Sequence, residues 1–221
     1  MTLPCAQTAR PPHGTPIHSS AASATTRAAE CIRLTILHAL LLLACAARVG
    51  AQGPEPASLD PFARGAWHFE TAAIAALEAW NYNISHEELY GLDQGVVYGL
   101  RDGLALRMQQ RFIYVSQRSQ DAVVLGLTIG VRARLVTRGR WSAFLQGDLG
   151  VSHTALATPP RGTRFNYVAI GGGGAMVRVH PRVHLVSALQ LVHISNNGIK
   201  GSSRNPDIEA IGPSIGLLIR F

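Results

Sequence analysis

Cysteine is scarce in this chain, and its placement matters more than its number. There are three, Cys5, Cys31 and Cys45, with none after position 45. A domain built from the later residues therefore has neither a disulfide framework nor a thiolate metal site. Lysine is scarcer still. Lys200 is the only one, so arginine carries almost all of the basic side of a formal charge of +7. Residues 1–51 hold four Arg and one Glu, a share of +3, which leaves +4 for the remainder. No basic helix or zinc-ligand spacing accompanies that excess, so nucleic-acid binding is set aside. Long hydrophobic runs are missing too. The strongest, Leu34 to Ala47, falls short of the roughly 20 residues that a membrane-crossing helix needs.

That run has a different meaning. Arg33 precedes it and Val49-Gly50-Ala51 follows it, the small-x-small pattern at which signal peptidase cuts. Residues 31–51 read as a signal peptide cleaved after Ala51. Leu42-Leu43-Ala44-Cys45 loosely resembles a lipoprotein box and leaves lipidation of Cys45 open. Residues 1–30 are rich in Ala, Thr, Ser and Pro without hydrophobic period, and no fold is assigned to them. A start codon placed too far upstream would account for them. Residues 52–64 read as a linker and 65–221 as one domain.

Within that domain hydrophobicity repeats every second residue, the period of a strand. Val123, Leu125, Leu127, Ile129, Val131, Ala133 and Leu135 alternate with Val124, Gly126, Thr128, Gly130, Arg132 and Arg134. Residues 141–153 repeat the pattern, with Trp141, Ala143, Leu145, Leu149 and Val151 against Ser142, Gln146, Asp148 and Ser152. So do 104–114, with Leu104, Leu106, Met108, Phe112 and Tyr114 against Arg107, Gln109 and Arg111. A soluble sandwich would show a Lys-, Glu- and Thr-rich outer face. Here the polar face mixes Gly with Arg and isolated acids, as in a barrel whose polar side points inward. The pattern predicts an all-β, eight-stranded antiparallel transmembrane barrel of the outer membrane, with strands near 67–80, 93–100, 103–116, 121–136, 141–154, 164–179, 183–195 and 208–221. Connections near Asp102-Gly103, residues 137–140 and residues 180–182 are short. Those at 81–92, 155–163 and 196–207 are longer, and 116–121 is intermediate. Short periplasmic turns and long outer loops are the usual arrangement. The terminal Phe221, in register with Leu217 and Ile219, has the look of the aromatic that ends outer-membrane barrels.

Chemistry concentrates in the last two strands. Val183, Leu185, Leu189 and Leu191 share their face with His193 and Ser195; Ile211, Ile215, Leu217, Ile219 and Phe221 share theirs with Glu209. A base, a nucleophile and a carboxylate are thereby expected on the lipid-facing wall, at the outer end. Residues i and i+2 of a strand lie about 6.5–7 Å apart on one face, close enough for a Ser Oγ–imidazole hydrogen bond. A carboxylate from the neighbouring strand would hold the other imidazole nitrogen, as acyl transfer requires. Gly198 and the polar loop around it could offer N–H groups to an oxyanion. The bland alternative is a set of ordinary polar residues at the membrane interface. A polar group facing hydrocarbon costs on the order of 1 kcal/mol or more, which weighs against it.

The stretch Leu191-Val192-His193-Ile194-Ser195-Asn196-Asn197-Gly198-Ile199, with Arg204-Asn205-Pro206-Asp207-Ile208-Glu209, resembles the C-terminal signature of the lipid A 3-O-deacylase (PagL-like, acyloxyacyl hydrolase) family. Gly162-Thr163-Arg164-Phe165-Asn166-Tyr167 and Gly171 to Gly174 are similar to its preceding strand. The likeness spans residues 65–221 and is strong over the last third. It implies hydrolysis of the 3-hydroxyacyl ester at the 3-position of lipid A, with His193, Ser195 and Glu209 as the triad. Asn196 would match the asparagine after the nucleophile, and Asn197, Gly198 and Asn205 the oxyanion region. The link to the acid is longer here, with Gly201-Ser202-Ser203 as an insertion, and Asp207 shares the outward face with Glu209 as a competing acid. Glu209 is preferred because it follows Asn-Pro-x-Ile.

The same reading implies no cofactor and no metal, His153 and His184 having no ligand partner at useful spacing. It implies a membrane-embedded protein whose partner is lipid A or lipopolysaccharide, an anionic surface suited to the arginine excess; a homodimer is left open. Arg107, Arg111, Arg132, Arg134, Arg178 and Asp148 are expected to fill the barrel as a polar network. Gly171 to Gly174 reads as strand that lets lipid or side chains approach the backbone, since no Lys-Ser/Thr follows to make a phosphate loop. Two alternatives stay open: a non-catalytic barrel, and an esterase of another membrane lipid.

Overall fold

The structure is a computed structural model, and it describes residues 60–79, 86–118, 120–201, 203 and 205–221. The expected signal peptide, its cleavage and lipidation sites, residues 1–30 and most of the linker lie outside the described residues. Eight strands follow in order: β1 (Trp67–Glu78), β2 (Glu88–Arg101), β3 (Leu104–Ser116), β4 (Ala122–Arg138), β5 (Trp141–Thr154), β6 (Phe165–His180), β7 (Val183–Ser195) and β8 (Ile208–Arg220). Each pairs antiparallel with the next, and β1 pairs with β8 from His68↔Arg220 to Glu78↔Ala210. Closure leaves no unpaired edge, which is what a sheet needs to stand in hydrocarbon.

The strands fall where the alternation puts them, except β2. It begins at Glu88 instead of near 93, because Glu88 to Leu92 pair with Phe112 to Ser116. Tyr90 and Leu92 carry the outward positions there. Gly91 and the charged flanks dilute that signal in the sequence. The β2–β3, β4–β5 and β6–β7 connections are hairpins of two residues, and the other four connections are longer. Both ends of the barrel segment share the short-turn end.

The outward positions form an apolar belt. Leu127 and Leu149 are 66% and 68% exposed, and Leu125, Ile129, Leu145, Leu189 and Ile215 are exposed by half or more. A patch of that extent has no place in water and every place in lipid. Trp67, Tyr98 and Trp141 mark one edge of the belt, Tyr90, Tyr114, Phe165 and Tyr167 the other. From Trp141 to Val151, which pairs with Tyr167, β5 runs about 34 Å, or about 26 Å across the membrane at the usual barrel tilt. That matches the ~25 Å apolar band of such barrels.

Inside, the barrel is layered. Glu70, Asp93 and Asp148 face Arg107, Arg111 and Arg132 in a continuous chain of ion pairs. Arg132 Nη2 donates to Glu70 Oε1 at 2.7 Å, Arg111 Nη2 to Asp148 Oδ2 at 3.2 Å and Arg107 Nε to Glu70 Oε2 at 3.4 Å. Arg107 also bonds Asp148, Arg111 bonds Asp93, and Arg132 lies 4.5 Å over the Phe144 ring. Apolar layers flank the network. Ile74, Leu89, Ile113, Val192, Ile194 and Ile208 lie towards the long loops, and Phe62, Val97, Phe144, Met176 and Leu218 towards the short turns. The interior is a packed plug.

Two arginines expected in that network are elsewhere. Arg134 pairs with Asp60 and lies 5.1 Å over Phe62, in the segment that precedes β1. Arg178 is half-exposed at the short-turn rim. Their places are taken by acids that the spacing did not single out, Glu70 and Asp93. The pre-β1 segment closes the short-turn mouth. Gly65 N–H donates to Gly99 O and Gly99 N–H to Ala66 O, both at 2.9 Å. A side chain at Gly99 would collide with the Ala63 carbonyl, so only glycine permits that approach.

Candidate active site

Strand alternation alone decides which way His193, Ser195 and Glu209 point. Their neighbours Val192, Ile194, Ile208 and Ala210 are fully buried in the apolar layer beneath the long loops. Because successive side chains take opposite faces, packing those four inward turns the three polar residues outward. The buried layer also fixes the backbone from which they project.

Register then brings them together. His193 pairs with Glu209 directly across β7 and β8, and Ser195 sits two residues along from His193. His193 Nε2 lies 2.9 Å from Ser195 Oγ, and His193 Nδ1 lies 3.4 Å from Glu209 Oε1. The chain Ser–His–Glu is thus continuous. The first link is an ordinary hydrogen bond, and the second is an ion-pair contact, about 0.5 Å longer than a tight charge-assisted hydrogen bond. A carboxylate at Nδ1 favours the tautomer with the proton there, leaving Nε2 free to accept from Ser195. His193 and Glu209 are about one-third exposed, whereas Ser195 is 7% exposed although it faces outward. Its cross-strand neighbour on that face is Tyr167, whose ring meets Phe165 edge-on at 5.9 Å.

Asp207 lies just beyond the β7–β8 ladder, which ends at Ile194↔Ile208. Ligand atoms of His193, Asp207 and Glu209 all lie within 4.8 Å of one another, so this is also the described group that could hold a cation. The carboxylate paired with Nδ1 is that of Glu209.

The loop after Ser195 is built by its asparagines. Asn196 N–H donates to Asn205 Oδ1 at 3.0 Å, clasping the loop's two ends together. Gly198 N–H donates to Asn196 Oδ1 at 3.0 Å, and Ile199 N–H to Asn196 O at 3.2 Å. Asn197 and Gly198 adopt φ of 52° and 72°, a left-handed pair that asparagine and glycine tolerate. One expectation changes as a result. The Gly198 N–H, expected to face an oxyanion, is occupied within its own loop. Asn196, Gly198 and Asn205 are joined by hydrogen bonds, while Asn197 projects outward as an exposed side chain.

Below the site the outward face of β6 is stripped of bulk. Ala169, Gly171, Gly173 and Ala175 descend beside His193, Leu191, Leu189 and Ser187. A Cβ at Gly171 would meet nothing within 4 Å, so a shallow furrow lies open to lipid there, bounded at Gly173, where a Cβ would meet Leu145 Cδ2 at 2.9 Å. Phe165 and Tyr167 at its upper end were not singled out as site residues by spacing. Their outward parity was the available signal.

No family model matches the chain, and no curated protein matches it. Among solved structures it is similar to Neisserial surface protein A, at TM-score 0.54 and 13% identity over 76% of this chain and 100% of that one. It is also similar to the outer membrane protein OprG from Pseudomonas aeruginosa, at TM-score 0.47 and 11% identity over 73% and 98%. The first likeness, with the closed eight-strand topology, gives the fold: this chain is an eight-stranded β-barrel of the outer-membrane type.

Proposed function

We propose that the protein is an outer-membrane serine esterase that removes the 3-O-linked 3-hydroxyacyl chain of lipid A. The observation that carries the proposal is the continuous Ser195–His193–Glu209 chain on the lipid-facing wall. Ser195 Oγ attacks the ester carbonyl while His193 Nε2 takes its proton. Glu209 stabilises the imidazolium from the Nδ1 side. The tetrahedral intermediate collapses by breaking the ester C–O bond, and His193 returns the proton to the departing sugar hydroxyl. Water then repeats the sequence on the acyl-serine and frees the fatty acid. Asn196, Asn197, Gly198 and Asn205 position the substrate and its oxyanion; the Gly198 N–H becomes available when substrate displaces Asn196 Oδ1.

Placement supports lipid as substrate. The triad sits at the long-loop edge of the belt, the level at which the outer-leaflet ester would lie, and the Gly171 furrow gives an acyl chain a seat beside it. The test is mass spectrometry of lipid A from cells carrying the gene. Loss of one hydroxyacyl chain with the wild type and none with Ser195→Ala is the expected result. Unchanged lipid A with both would leave the non-catalytic barrel standing, and release of fatty acid from phospholipid instead would change the substrate.

A further inference from the structure

We propose that the short-turn rim of the barrel binds the phosphate headgroups of anionic phospholipids in the periplasmic leaflet. The proposal rests on the membrane fold and is independent of the esterase reading.

Charge is separated along the barrel axis. At the short-turn end Arg64, Arg101, Arg138, Arg140, Arg178 and Arg182 are exposed or half-exposed, and Asp102 is the single exposed acidic side chain among the described residues there. Asp60, the other acid of that end, is paired with Arg134. The interior network is balanced, three acids against three arginines. At the long-loop end Glu78, Glu87, Glu88, Asp121, Asp207 and Glu209 outnumber the described bases Arg118, Arg161, Arg164 and Lys200. The arginine excess, assigned on composition to lipopolysaccharide, therefore sits at the opposite rim. Short turns face the periplasm in outer-membrane barrels, so the surface it meets is the inner leaflet.

Depth matches as well as sign. Trp67 and Tyr98 meet tilted at 43° with ring centroids 4.6 Å apart, and with Trp141 they mark the lower edge of the belt. Arg138 pairs directly with Trp141, and Arg101 ends β2 three residues beyond Tyr98. Their guanidinium groups are therefore at the level of lipid phosphate, where a planar fork binds phosphate oxygens in pairs. Arginine comes from or beside each of the three hairpins and from the segment before β1. The charge thus surrounds the barrel and meets an annulus of lipid. Each arginine near an anionic membrane surface is worth about five-fold in lipid partition.

The experiment uses the full chain with Trp80→Phe, so that tryptophan emission comes from Trp67 and Trp141. It is folded into phosphatidylcholine vesicles containing a minor fraction of brominated lipid, either phosphatidylglycerol or phosphatidylcholine. Stronger quenching by the phosphatidylglycerol, several-fold above its share of the bilayer and erased by salt, is expected. The combined variant Arg101→Gln, Arg138→Gln, Arg140→Gln and Arg182→Gln should fold, by circular dichroism and heat-modifiable mobility, and lose the excess. Equal quenching by the two lipids overturns the proposal, as does an excess retained in the folded variant. Competition by inorganic phosphate at constant ionic strength overturns it in favour of a free-anion site. Enrichment of lipopolysaccharide in place of phosphatidylglycerol in parallel vesicles overturns it too.

Discussion

Two sets of polar side chains lie on opposite sides of one barrel wall, and they obey different rules. Inside, Glu70, Asp93, Asp148, Arg107, Arg111 and Arg132 are almost completely buried, mutually paired and balanced in charge. Outside, His193, Ser195 and Glu209 form one continuous line, hydrogen-bonded from Ser195 to His193 and ion-paired from His193 to Glu209, on a largely apolar face that also carries the Gln94–Gln110 pair. The inner set fills space that a small closed barrel must fill. The outer set lies outside that space: Ser195 is nearly buried in the wall, and His193 and Glu209 are about one-third exposed. Their order, nucleophile, base and acid, is what the proposed chemistry rests on.

The sharpest way to break the comparison is Ser195→Ala. Ester hydrolysis is expected to fall by about 10⁴- to 10⁶-fold with unchanged unfolding, measured by lipid A mass spectrometry beside denaturant titration. A folded variant that keeps its activity would return the outer set to ornament. Next, Glu209→Ala is expected to lower turnover by about 10²- to 10⁴-fold, and Asp207→Ala by less than about ten-fold. The reverse order in the same assay would move the acid to Asp207.

The inner set should behave the other way. Arg132→Met leaves Glu70 with Arg107 alone, at 3.4 Å and longer, and should destabilise the barrel by about 3–5 kcal/mol. Urea unfolding in detergent or vesicles reads this, while turnover per folded molecule stays near wild type. A large loss of turnover at unchanged stability would contradict the division of labour. The smallest expected effect is Gly171→Leu. A Cβ there would meet nothing within 4 Å, so the branch starts in open space on the lipid side while its bulk occupies the furrow beside the triad. Hydrolysis of long-chain lipid should drop about ten-fold while a short soluble ester is spared, a contrast in binding rather than in chemistry. Equal loss on both substrates would mean that the furrow is not the acyl seat.

Alternation made β3 to β8 legible because one face meets hydrocarbon and the other a polar plug, so the contrast between faces is large. β2 was read short because Glu88, Gly91 and Asp93 blur that contrast over its first half. Arg134 and Arg178 share the inward parity of Arg132, yet both lie at the rim, since parity gives a direction and no depth. The triad was legible as three residues on one face. The loop was not, because Gly198 donating to Asn196 Oδ1 depends on a turn geometry that residue types permit without dictating.

By itself the sequence determined which residues face lipid and where the chain turns, because a strand's two-residue period is a local property. Only the tertiary structure set His193 opposite Glu209 and joined Arg132 to Glu70 across 62 positions. It alone gathered the arginine excess at the short-turn rim. Those facts depend on inter-strand register and on closure of the barrel, which bring together residues that no local pattern relates.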